Sequence, residues 1–107
     1  MMAQLITVWW RDIPAQVIGK SGRQQAKVQL SKRFMEAIDR AAMRAGKGSS
    51  DDYLADWRRT TQPCTGQLEQ ATAAEAARLE SAYSDDDLTA LTKRKGVADD
   101  PNEEGIL

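Results

Sequence analysis

The chain has 107 residues, of which 41% are hydrophobic and 29% charged, and its net charge is −1. That is the size and composition of one folded domain with a small core, and no apolar run approaches the ~18–20 residues of a membrane span. It has no histidine and one cysteine, Cys64. A Ser-His-Asp triad, a His-activated thiol, a Cys/His zinc site, a His proton shuttle and an internal disulfide are therefore excluded within this chain. The opening Met1–Leu5 lacks the basic and apolar regions of a signal peptide, and with the single cysteine this sets a cytoplasmic expectation, away from any membrane.

The charge is unevenly spread. Residues 1–59 carry eleven Lys/Arg against six Asp/Glu, whereas residues 85–107 carry three against seven. The plain expectation is a solvated domain, residues 1–96, with a disordered acidic tail over 97–107. A sharper alternative is a basic face that the tail partly masks.

Residues 3–11 are rich in β-branched and aromatic types and predict a strand. Alternation puts Ile6, Val8 and Trp10 on one face, expected to be the core face, and Leu5, Thr7, Trp9 and Arg11 on the other. Asp12-Ile13-Pro14 is expected to break the strand, because proline fixes its own φ and pushes Ile13 toward extended geometry. A second strand is expected over Ala15–Lys20, a turn at Ser21-Gly22, and a third strand at about Gln24–Leu30. There Ala26, Val28 and Leu30 alternate with Gln25, Lys27 and Gln29.

Ser31 is expected to cap a helix over 32–45, with Phe34, Ile38, Ala41, Ala42 and Ala45 as its apolar stripe. Ser49 and Asp52 resemble a capping box for a short helix through about Arg58, with Tyr53, Leu54 and Trp57 on its face. Thr60–Gly66 is expected to be a loop. Residues 67–83 predict an alanine-rich helix, and Ser84 caps a last helix that Gly96 ends, with acid in its first turn and base in its last. Three strands followed by helices give an α+β class: a three-stranded antiparallel meander covered by three to four helices.

Two adjacent tryptophans on a strand cannot point into one core layer. Trp9 beside Arg11 and Asp12 is therefore a candidate partner-binding anchor, and Trp57 with Arg58 is a second. Cys64 precedes a predicted helix, where a thiol can be activated, but no base or second cysteine accompanies it. Gly46-Lys47-Gly48-Ser49 lacks the upstream spacing of a phosphate loop. Asp51-Asp52 and Asp85-Asp86-Asp87 fall at helix starts, where capping accounts for them. No catalytic, cofactor-binding or metal-ligating residue is expected, and no cofactor.

The run Trp10-Arg11-Asp12-Ile13-Pro14-Ala15-Gln16-Val17, followed by Gly22-Arg23, Ala37–Arg44 and Asp52–Arg58, resembles the small bacterial domain family named virulence factor. The likeness covers about residues 3–83. In some bacteria the family domain is joined to a scaffold-like segment related to iron–sulfur carriers and to helical repeats. Free-standing alphaproteobacterial forms accompany folate-linked one-carbon and corrinoid methyl-transfer proteins. The resemblance implies an accessory role and carries over no catalytic residue.

The function expected from all this is a non-catalytic accessory or adaptor domain acting with a protein partner in metabolism. Its docking surface would include Trp9, Arg11, Asp12, Trp57 and Arg58. Two alternatives stand beside it. One is a nucleic-acid-binding module using the basic half, which the scattered placement of its cations disfavours. The other is a subunit lending Arg58 or Cys64 to a shared active site.

Overall fold

A computed structural model of the chain describes residues 3–46 and 50–98. Their elements run β1 (Ala3–Trp10), β2 (Ile13–Ser21), β3 (Gln24–Gln29), α1 (Lys32–Arg44), α2 (Ser50–Ala55), β4 (Trp57–Cys64), α3 (Leu68–Ala82) and α4 (Asp85–Lys93). The strands form one antiparallel sheet in the order β3-β2-β1-β4. The α+β class holds, but the sheet has four strands where the sequence predicts three. The expected loop over Thr60–Gly66 is mostly β4, and Trp57 and Arg58 open that strand instead of closing a helix. Most of β4 is exposed. It carries no apolar alternation, so only its ladder to β1 makes it a strand.

Proline does not break the strand as expected. β1 and β2 join through the two residues Arg11-Asp12, with Trp10 facing Ile13, and β2 already begins at Ile13. Pro14 sits where the register slips between Val8 and Trp9, leaving Ala15 unpaired opposite β1. A bulge is the place where an inner strand tolerates a missing N–H. Arg11 makes the tight connection with a left-handed backbone, φ 54°.

The helices cover the face opposite the predicted one. Leu5, Val17, Ile13 and Ala15 join Phe34, Ala37, Ile38, Ala41, Ala42, Ala76, Leu79, Leu88 and Leu91 in the main core. Ile6, Val8 and Ile18 form a second, small cluster on the other face, with Trp57 against it. Trp10, in phase with Ile6 and Val8, is completely buried but belongs to the main core at the end of the sheet. Both faces of β1 are apolar, so alternation cannot say which one the helices cover.

α3 lies across β3, β2 and β1, and α1 packs between β2 and α4. The α1 stripe is buried at Phe34, Ile38, Ala41 and Ala42, whereas Ala45 falls at the C-cap and is half-buried; on α3, Thr72, Ala76 and Leu79 are buried. Ser31 occupies the N-cap position of α1 but its side chain does not cap. Its N–H and hydroxyl both donate to the Glu80 carboxylate from α3, at 2.5 and 2.9 Å. Arg33 joins them, donating to the same carboxylate at 3.3 Å and to the Glu80 carbonyl at 2.7 Å. α4 behaves as predicted, with a reciprocal capping box between Ser84 and Asp87. The proposed Ser49–Asp52 cap and the tail from 99 onward lie outside the described residues. Among the described residues no helix is long and apolar enough to cross a membrane.

Candidate functional site

The five residues singled out in sequence meet at one end of the sheet, because the β1–β4 register sets Trp9 opposite Arg58 and Trp10 opposite Trp57. Arg58 lies over the Trp9 ring, 5.1 Å from its centroid. It donates from Nε to the Arg11 carbonyl at 2.9 Å and from Nη2 to the Asp12 carboxylate at 3.2 Å. Arg11 in turn donates to the Asp56 carboxylate at 3.3 Å and to the Lys95 carbonyl at 2.9 Å, and stacks on Trp10. Asp12 accepts from the Ala98 N–H at 2.7 Å, and its own N–H donates to the Gly96 carbonyl at 2.8 Å. The β1–β2 turn is thus knotted to the α2–β4 junction and to the chain leaving α4.

Aromatic packing backs this knot. Trp10 stacks on Tyr53 with centroids 5.9 Å apart, and its indole N–H donates to the Tyr53 carbonyl at 2.9 Å. Tyr53 meets Trp57 edge-on at 5.7 Å. Burial, with Asp39 nearby, raises the Tyr53 pKa. Gly96, at φ 88°, closes the knot from below, and a Cβ there would come within 2.9 Å of the Trp10 ring. Arg11 and its ion-pair partner Asp56 are only 21% and 26% exposed. Arg11 is therefore turned largely into the protein, where its bonds to Asp56 and Lys95 tie segments together.

Trp9 differs. It is partly buried, and its indole N–H donates to Thr60 on β4 at 2.8 Å. Its ring forms one wall of a groove of about 490 Å³ that reaches to α3 and α4. The floor includes Leu79 and Leu91, and Arg78, Tyr83 and Arg94 stand around it. Arg78 holds Glu75 by a two-pronged contact at 2.7 and 2.6 Å. That hydrogen bonding, opposed by partial burial, lowers the Glu75 pKa. Burial raises the Tyr83 pKa, helped by the nearby Asp12 charge. The groove offers an apolar floor with cationic and hydroxyl groups and the Asp87 carboxylate around it, a surface suited to gripping a side chain of another molecule.

Of the predicted anchors, the structure brings Trp9 to this groove and draws Arg11, Asp12, Trp57 and Arg58 into the knot beside it, with Arg58 over the Trp9 ring. Sequence reasoning missed Arg78, Tyr83 and Arg94, because no spacing within α3 or α4 reveals that the two helices flank Trp9. Cys64 lies at the far end of β4, opposite Ala3, and four residues ahead of α3. Among the described residues no group of three or more Cys, Asp or Glu is placed to hold a metal ion.

Residues 8–92 match the family model described as virulence factor. The chain belongs to that family. The match takes in the β1–β2 turn, the α2–β4 junction and most of α4, and ends before Lys95, Gly96 and Ala98 of the knot and Arg94 of the groove. Its range reaches past residue 83, where the likeness seen in sequence ends. No match is found among curated proteins or among solved structures.

Proposed function

We propose that this virulence factor family domain is a non-catalytic accessory or adaptor module that docks a protein partner in the groove between Trp9 and the α3–α4 pair. The observation that carries this reading is the groove itself. A partly exposed tryptophan, held in place by Thr60 and overlain by Arg58, borders an apolar floor next to a rigidly knotted sheet end. Aromatic and arginine side chains at a concave site are the usual centre of a protein–protein contact. The knot gives the site its rigidity, since Arg11, Asp12 and Trp57 set the position of Trp9 and Arg58 without meeting the partner. The family resemblance supports a metabolic partner in folate-linked one-carbon or corrinoid methyl transfer.

Site-specific photo-crosslinking in the native host tests both parts. A crosslinking residue at Ala82, in the groove, is compared with one at Ala73 on the exposed side of α3. The expected result is one methyl-transfer protein trapped from position 82 and not from 73. Ribosomal or nucleoid proteins trapped at 82 would replace the metabolic partner with a nucleic-acid-associated one. Equal trapping from both positions would remove the groove from the docking surface.

A further inference from the structure

The four strands contain no aspartate or glutamate, although the chain has sixteen acidic residues. Their charged residues are Lys20, Lys27, Arg58 and Arg59, and the register sorts these by face. Arg58 lies opposite Trp9 and over its ring, on the main-core side. Arg59 faces Val8, Lys27 faces Ile18, and Lys20 is two residues along from Ile18, so all three share the face that the main core does not use. Gln4, Gln16, Gln25, Gln29 and Thr61 complete that face by the same pairing. Every helical residue of the described core joins the other cluster, so among the described residues no helix packs on this side.

The centre of this face is aliphatic. Ile6, Val8 and Ile18 are 9%, 8% and 6% exposed without a helix above them. Among the described residues it is neighbouring strand side chains that lie beside them, and Lys27 and Arg59 stand directly opposite two of the three. Lysine and arginine cover apolar surface with their methylene stems while the charged heads stay in water, and such arms can swing aside for a partner. The face therefore combines a latent apolar stripe with cations on both sides of it, and its strands supply no carboxylate to oppose an anion.

We propose that this open sheet face is a second docking surface, taking an acidic protein segment that presents carboxylates on either side of an apolar ridge. Charge complementarity selects the sign of the partner. The chemistry of the centre selects its class. Single-stranded nucleic acid is gripped by stacking bases on aromatic rings, and this face has an aliphatic centre with Trp57 alone at one end. Three cations also neutralise too few phosphates for firm binding at physiological salt. A protein ridge of leucine or isoleucine matches the Ile6–Val8–Ile18 stripe, and its glutamates reach Lys20, Lys27 and Arg59. With the groove on the other side, the domain would carry two independent surfaces, as a bridging module requires.

The test titrates the ¹⁵N-labelled full chain with a helical peptide of Glu and Leu whose leucine stripe is flanked by glutamates. The same peptide with Gln for Glu, and a short oligothymidylate, are the comparison ligands. Amide shifts are expected at Gln16, Ile18, Lys27 and Thr61, with affinity falling about tenfold or more in Lys27→Glu/Arg59→Glu. Ala82→Arg, in the groove, should leave this binding unchanged, which separates failure here from failure of the groove. If charge reversal disturbs folding, Lys27→Gln/Arg59→Gln should still weaken binding. The proposal is overturned if the acidic peptide shifts none of these amides, if the Gln peptide binds equally well, or if oligothymidylate binds the same face more tightly.

Discussion

Gly19 is the position where helix and sheet come closest, and adding one methyl group there tests the packing directly. It lies in the inner strand β2, opposite Leu5 on β1 and Ala26 on β3. A Cβ at Gly19 would sit 2.2 Å from Thr72 Oγ1 and 2.9 Å from Leu68 Cδ1. Two effects compete in Gly19→Ala. Alanine loses less backbone entropy than glycine in a strand, which favours the variant by roughly 0.5–1 kcal/mol. Overpacking a filled site opposes it by about 1–3 kcal/mol. The clash is more than 1 Å short of ordinary contact, and Thr72 is fully buried with its hydroxyl bound to the Leu68 carbonyl at 2.7 Å. The Leu68 side chain can swing away, but Thr72 cannot step aside without breaking that bond or moving α3, so the upper part of that range applies. The net expectation is a loss of about 2 kcal/mol, read from urea unfolding followed by tryptophan fluorescence. In a Thr72→Ala background the nearest contact is gone, and the cost of Gly19→Ala should fall by about 1–2 kcal/mol, a coupling well above the additivity error. Equal costs in both backgrounds, or a Gly19→Ala variant as stable as the parent, would refute this account of how α3 seats on the sheet.

Three further expectations follow from individual contacts. Trp10→Ala should cost about 3–5 kcal/mol because the side chain is fully buried, whereas Trp9→Ala should cost clearly less, since Trp9 borders an open groove; equal losses in denaturant melts would mean that the groove wall is core. Partial burial pushes the Glu80 carboxyl up, but hydrogen bonds from Ser31 and Arg33 outweigh it and hold its pKa below the ordinary glutamate value. A depressed folded-state pKa stabilises the fold above the unfolded value of about 4.3 and is lost as pH falls through the folded value. Glu80→Ala should therefore cost about 1–2 kcal/mol at neutral pH, after discounting for a side chain one-third exposed, and should flatten the acid limb of the stability–pH curve; an unchanged limb would remove Glu80 from that role. Ser84→Ala should cost about 1 kcal/mol by breaking the capping box, measured as a lower thermal midpoint, and an unchanged midpoint would show that α4 is held by packing alone.

Local patterns in the sequence determined much of this protein. The three meander strands, the stripe of α1, the alanine-rich helix α3, the Ser84 cap and the absence of histidine chemistry are legible because each depends on composition or on residues a few positions apart. The Trp9–Arg11–Asp12 and Trp57–Arg58 segments also stand out by composition, and they do meet. Tertiary structure decided what each of them does. β4 exists because β1 has a second edge to pair, and nothing within Trp57–Cys64 encodes that partner. Which face of β1 the helices cover depends on where α3 can lie close, and Gly19 opens that place on the Leu5 side. Ser31 leaves α1 without a side-chain cap because its N–H and hydroxyl turn to Glu80, a residue forty-nine positions away. Arg11 looked like a binding residue and is mostly turned inward, because its left-handed turn aims it at Asp56 and Lys95. The groove and the acid-free sheet face are both products of register: strand pairing sorts side chains onto faces, and that sorting links residues far apart in the chain.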